Sequence, residues 1–300
     1  MAALAAASRA VAGPIRARLD ARRWHFQHGP IDLVVEAFGD GAAAAVERGW
    51  RRFETVLEEL VAELPTLRGP VEHAAGLAGP VARRMRSACW PFRERFITPM
   101  AAVAGAVADE IIDAMGEVVS KAYVNNGGDI ALHLAPGERL RVGLVSDPAH
   151  ATRHGHRLPL DGSFEVEASM AVRGVATSGW RGRSWSLGVA DSVTVLAASG
   201  AAADAAATMI ANAVDVASPT IERRRACDVD DNTDLGERLV TVGVGALSAD
   251  AVETALANGA ALAERCAGDG LVWGAVLALQ GRYRVAGGAR RCIFPRNDDH

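Results

Sequence analysis

Hydrophobic and polar positions along the chain alternate with two different periods, and the switches between them mark out the elements. From Ile15 to Phe38 β-forming residues dominate around a central His28-Gly29-Pro30, which predicts a hairpin with arms near Arg23–Gln27 and Ile31–Phe38. In the first arm Trp24, Phe26 and His28 share one face and His25 and Gln27 the other, so His28 reads as a core histidine. Val46, Trp50, Phe53, Val56, Leu57, Leu60, Val61 and Leu64 then recur at helical spacing, with Pro65 expected to end that helix. Pro65 to Val81 is rich in proline and glycine and reads as a connector.

Thr98 as N-cap and Pro99 at the first helical position predict a second helix running to Val118. It is almost all Ala, Val, Ile and Met before Asp109, and so is expected to be buried on most sides. From Ala122 the pattern shortens to strands near 122–124, 130–134, 139–145, 163–169, 174–177 and 192–197. A small-residue helix over 201–216, a strand over 240–247, a helix over 249–267 and a strand over 271–279 follow. Strands that come in runs, split by long helices, predict an α+β fold of antiparallel sheets with helices packed on them. The two halves repeat this order loosely, without an evident residue-level repeat. The 300 residues are expected to form one domain, with 1–13 flexible and 290–300 a frayed tail.

Composition narrows the function. Half of the residues are hydrophobic and 5% aromatic, and the formal net charge is -4, which disfavours nucleic acid as a partner. The four cysteines stand apart with no C-x-x-C pair, so neither a thiolate zinc site nor a redox dithiol has local support. The alanine-rich start lacks a signal-peptide pattern and no stretch is long enough to span a membrane, giving the expectation of a cytoplasmic protein.

Three segments carry candidate chemistry. Asn125-Asn126-Gly127-Gly128-Asp129 sits between two strands, where the glycines let the backbone turn sharply and approach a ligand; it reads equally as a plain hairpin turn. Thr177-Ser178-Gly179 ends a strand with two hydroxyls and free N–H groups, a workable phosphate nest or merely a capped bulge. Arg181 and Arg183 follow it closely enough to clamp a phosphate. Asp204 and Thr208 lie four apart on a helix, hard oxygen donors on one face that suit Mg²⁺; an aspartate near a helix start also needs no metal at all. His150, His154 and His156 offer a weaker zinc pattern in a loop, and Arg83, Arg84 and Arg86 read as a solvated basic face. Cys89 could act as a nucleophile only beside a base.

In order, these segments resemble the ApbE-like superfamily of the FAD:protein FMN transferases. The likeness rests on Asn126-Gly127-Gly128-Asp129-Ile130, Ala176-Thr177-Ser178-Gly179, Ser192-Val193-Thr194-Val195 and Ala203-Asp204 through Thr208, and extends over Phe96 to Val216. Phe96-Ile97-Thr98-Pro99-Met100 and Gly179-Trp180-Arg181-Gly182-Arg183 look like the uncharacterised cytosolic branch of that superfamily. The resemblance implies a tandem T-fold-like architecture with a nucleotide site between the halves. It also implies Mg²⁺ at Asp204 and Thr208, FAD or FMN as a small-molecule ligand, and a transferase-related activity. T-fold assembly and open sheet edges add the expectation of a homodimer. Two departures stand out. The interval from Trp180 to Asp191 lacks the His-Ile-x-Asp-Pro motif of the transferases, and Ala104-Gly105 replaces their Lys-Gly. These leave the catalytic residue unassigned and the reaction open between flavin or nucleotidyl transfer and pyrophosphate hydrolysis, with a non-catalytic flavin carrier or sensor, or an enzyme of small-molecule cofactor metabolism using the same cleft without flavin, as alternatives.

Overall fold

A computed structural model describes residues 13–116, 119–144, 162–182 and 184–291. Its frame is a nine-stranded antiparallel sheet in the order β1-β2-β3-β4-β5-β8-β9-β12-β13. The strands are β1 (Ile15–Arg18), β2 (Arg23–His28), β3 (Ile31–Phe38), β4 (Lys121–Asn126), β5 (Asp129–Leu134), β8 (Gly174–Ser178), β9 (Ser192–Ala197), β12 (Gly274–Leu279) and β13 (Arg282–Gly287). Two further pairs stand outside it: β6 (Arg139–Leu144) with β7 (Gly162–Glu167), and β10 (Ile221–Arg225) with β11 (Leu239–Val244). The helices are α1 (Ala42–Leu67), α2 (Pro80–Cys89), α3 (Val103–Met115), α4 (Gly200–Ala213), the one-turn α5 (Ala226–Val229) and α6 (Ala249–Gly268).

Side chains alternate across the strands, so the sheet separates two apolar layers. On one side Val35, Val124, Val195 and Leu277 pack with the helices. On the other Leu132, Val175, Leu196 and Val276 meet Val142, Phe164 and Val166 of the β6–β7 pair. Phe26, Phe53 and Trp50 lock the β2–β3 hairpin to α1, Phe26 and Trp50 meeting edge-on at 5.1 Å. Phe26 and Phe53 are wholly buried, each worth about 1.5–3 kcal/mol of apolar burial. His28 is buried beside Phe53, as its face of the strand predicts, while His25 bonds Asp32 on the other side.

The order strand-strand-helix-helix-strand-strand occurs twice, as β2-β3-α1-α3-β4-β5 with α2 inserted between its helices, and as β8-β9-α4-α6-β12-β13 with β10, α5 and β11 inserted between its helices. The two are fused side by side where β5 pairs with β8. The expected antiparallel sheets with helices packed on them are present, the two halves sharing one continuous sheet. Other boundaries also differ from the sequence expectation. Helix α1 runs through Pro65 to Leu67; the carbonyl that proline leaves unbonded belongs to Val61, whose side chain is 55% exposed, so solvent can satisfy it. The arginine cluster lies on a helix, α2, with Arg83 exposed and Val81, Ala82, Met85 and Cys89 buried on the other face. The second helix begins only at Val103, after a 3₁₀ turn over Pro99–Ala102, and ends at Met115. The outer strands β1 and β13 carry Arg16 and Arg18, and Arg282 and Arg284.

Candidate functional site

Helices α3 and α4 cross with their backbones almost touching. A Cβ placed on Gly105 would lie 2.2 Å from the Gly200 carbonyl oxygen, so no larger residue fits there without moving a helix. This contact brings each helix start within reach of an aspartate on the other. Asp109 of α3 accepts from the N–H groups of Gly200 at 2.7 Å and Ala201 at 2.8 Å. Asp204 of α4 accepts from the N–H of Gly105 at 3.0 Å, and also from Ala104. Each helix therefore caps its neighbour with a carboxylate, where the exposed N–H groups and the dipole favour negative charge.

The two glycine-to-aspartate spacings are identical, Gly105 to Asp109 and Gly200 to Asp204. That repeat is the residue-level signal the sequence reading missed. Its meaning appears only when the helices cross.

Around Asp204 the three sequence segments converge. Asn126 donates through Nδ2 to the Ala104 carbonyl at 3.1 Å, tying the β4–β5 turn to the start of α3. Gly127 and Gly128 both have positive φ, 66° and 122°, and form that two-residue turn, with the Gly128 N–H donating to Asn125 Oδ1 at 2.8 Å. Asp129, the residue after the turn, accepts from the Thr177 N–H at 3.2 Å. The Thr177 hydroxyl lies 2.9 Å from that of Thr194 on β9, a partner the sequence reading did not single out. Thr208 is half-buried one turn beyond Asp204 on α4.

The rest of the second segment is occupied by packing. A Cβ on Gly179 would fall 2.3 Å from the Asp191 carbonyl oxygen, so this glycine serves close backbone approach to the protein itself. Ser178 ends β8 opposite Val193. Asp191 gathers the following loop: it accepts from Trp180 Nε1 at 3.2 Å and from the Gln280 N–H at 2.6 Å, and lies 3.3 Å from Arg181. Arg183 and the three loop histidines, His150, His154 and His156, lie outside the described residues. Arg84 bonds Glu110 and Asp113, and Arg86 lies over Trp90, 4.5 Å from its ring centre. The Cys89 thiol is fully buried and pushed well above its ordinary pKa by burial, then by Asp204 and Asp234, which leaves it unreactive in the packed state.

Electrostatics set Asp204 and Asp129 apart. Burial raises Asp204 well above the usual carboxylate range, and repulsion from Asp129 raises it further against the pull of its two N–H bonds. Asp129 is pushed up to about 7, mainly by burial. Among the described residues no three His, Cys, Asp or Glu side chains gather as a metal cluster. Two carboxylates and a nearby hydroxyl are nevertheless the sparse, hard-oxygen set that Mg²⁺ accepts, its other positions going to water or phosphate. The donors present fit such an ion. A cleft of about 390 Å³ opens elsewhere, beside Asp109, lined by Arg84, Asp113, His133, Arg173 and Ser199 among others.

Fold and site together define an α+β protein of the ApbE-like class. Residues 16–285 match the family described as AbpE bacteria, and the chain belongs to that family. It is 35% identical over 218 residues to a UPF0280 protein of Methanopyrus kandleri, covering 70% of this chain and 83% of that one. A UPF0280 protein of Methanospirillum hungatei is 32% identical over 191 residues, 62% of this chain and 69% of its own. Among solved structures, the apo flavinyl transferase ApbE of Pseudomonas stutzeri is similar over 93% of this chain and 97% of its own, with 10% identity and a TM-score of 0.44. Among the described residues no helix is long and apolar enough to cross a membrane.

Proposed function

We propose that this chain binds a flavin nucleotide, FAD or FMN, through Mg²⁺ held by Asp204 with Thr208, and that Asp129 completes the charge that holds the ion. The observation carrying this reading is the half-buried pair Asp129 and Asp204, in which repulsion from Asp129 adds to desolvation in raising Asp204. Burying two carboxylates together is costly unless something positive joins them. Bound Mg²⁺ would supply charge neutralisation for the ligand's phosphates. The chain's own part is to hold the acceptors rigid: Asp204 fastened to the start of α3, Asp129 to Thr177, and Asn126 to the Ala104 carbonyl. Asn125, Gly127 and Gly128 shape the turn at the ligand's edge, Thr177 and Ser178 offer hydroxyls, and Arg181 stands on the loop beyond, with Arg183 two residues later in the sequence.

A second reading, binding without transfer, is favoured by the loop from Trp180 to Asp191. It holds no histidine, and Asp191 is committed to Trp180, Gln280 and Arg181. Losing a general acid or base costs about 10²- to 10⁴-fold in rate. Chelator-stripped protein titrated with FAD, with and without Mg²⁺, tests the first reading by flavin fluorescence. Mg²⁺-dependent binding that Asp204→Asn abolishes supports it, whereas equal binding without the ion in both proteins refutes it. Release of AMP or FMN over hours then separates turnover from carriage.

A further inference from the structure

The β10–β11 ribbon stands outside the main sheet, and most of β10 is exposed. Its seat on the body is poorly satisfied. Thr241 is fully buried, yet its hydroxyl has no hydrogen-bond partner among the described residues, and neither has Nε of Arg223, its cross-strand neighbour. Each such group costs about 1–3 kcal/mol while docked and is relieved on reaching water. The register also slips between Glu222 and Arg223. Against the body the ribbon is held by the Thr241 N–H donating to the Ser186 carbonyl at 2.8 Å and by Arg223 paired with Asp215.

The ribbon's far end, residues 226–238, reaches back to the turn that precedes α3. Thr98 donates its hydroxyl to Asp234, and the Arg238 guanidinium lies 3.1 Å from the centre of the Phe96 ring. The Cys89 sulfur sits 3.9 Å from the carbonyl of Pro99, next in the chain to Thr98. Gly105, whose N–H Asp204 holds, follows six residues after Pro99. Asp204 and Asp234 both add to burial in raising the Cys89 thiol.

We propose that the β10–β11 ribbon with its 226–238 tip is a hinged flap, latched by Thr98 and Asp234, whose release uncovers Cys89 and the flank of Asp204. The use of such an opening, to admit a ligand, rests on the cation-and-flavin reading; the opening itself does not. Cys89 is its built-in reporter, because a thiol with no exposure reacts only when uncovered.

The test alkylates native protein with iodoacetamide at pH 8 and follows each cysteine-containing peptide by mass spectrometry. Thr98→Val and Asp234→Ala each remove the latch, and Cys89 labelling is expected to rise about tenfold or more, the worth of one hydrogen bond to a charged group. Hydrogen exchange of wild-type protein is the second measurement, with β11 amides expected to exchange well ahead of β12 amides. Unchanged labelling in both variants overturns the flap, as does labelling that rises only in step with β12 exchange. Should a variant fail to fold, wild-type exchange decides alone: β11 and β12 exchanging together refutes it. None of these readouts contains cation or flavin, so their failure is distinct from failure of the binding titration.

Discussion

The two helix starts at the α3–α4 crossing are built alike and charged differently. Asp109 and Asp204 each cap the opposite helix, yet their surroundings diverge within one turn. Four residues after Asp109 stands Asp113, paired with Arg84 at 2.5 Å, and Arg84 also lowers Asp109. Four residues after Asp204 stands neutral Thr208, and the neighbouring charge is a second carboxylate, Asp129. At the first end a guanidinium balances the charge, leaving a cap. At the second the nearby charge is a like one, which is where the proposed cation would enter. The same local geometry thus serves structure at one end and proposed binding at the other, and the difference lies in the neighbours.

Forcing the two helices apart should have the largest effect. Gly105→Ala forces a methyl into the Gly200 backbone and is expected to cost about 4 kcal/mol or more, read by urea unfolding. Next comes proton linkage at Asp109. Burial raises it from the ordinary 3.8 to about 6. A carboxyl raised in the folded state contributes stability that is full below about pH 4 and lost as pH climbs through about 6. Between pH 4 and 7 wild type should therefore lose up to about 3 kcal/mol relative to Asp109→Asn, which does not titrate.

At the other end, Asp204→Asn should abolish stabilisation by Mg²⁺, about 2.7 kcal/mol at a hundredfold excess over Kd, while Asp109→Asn keeps it. Because Asp129 must lose a proton near pH 7 for the ion to bind, that stabilisation should grow from pH 6 to 8. A melting temperature shifted equally by Mg²⁺ at both pH values contradicts the proposed site. The smallest effect belongs to Thr208→Val, expected to weaken Mg²⁺ about tenfold, or about 1.4 kcal/mol.

The sequence disclosed what repeats locally. Helix α1 showed itself through Val46 to Leu64 and the β2–β3 hairpin through its alternation, and both stand with only their ends adjusted. Helix α2 stayed hidden because three arginines in ten residues mask a four-residue apolar stripe. Strand β13 stayed hidden because its first three residues are exposed and leave no alternation. The caps were invisible for a different reason: Asp204 and its Gly105 partner are 99 residues apart, and Asp109 and Gly200 are 91. A spacing of four residues has no meaning until two distant helices meet. Likewise Gly179 looked like a ligand contact, and only the position of Asp191 shows the protein itself filling that space.

The outermost strands bear on how molecules could join. Both rims carry arginine, Arg16 and Arg18 at one and Arg282 and Arg284 at the other. Three of these arginines are held in ion pairs, Arg16 with Glu47 and both Arg282 and Arg284 with Glu253, so each rim presents ordered charged side chains that a further strand would have to displace, an arrangement that discourages lateral growth into longer ribbons or fibrils.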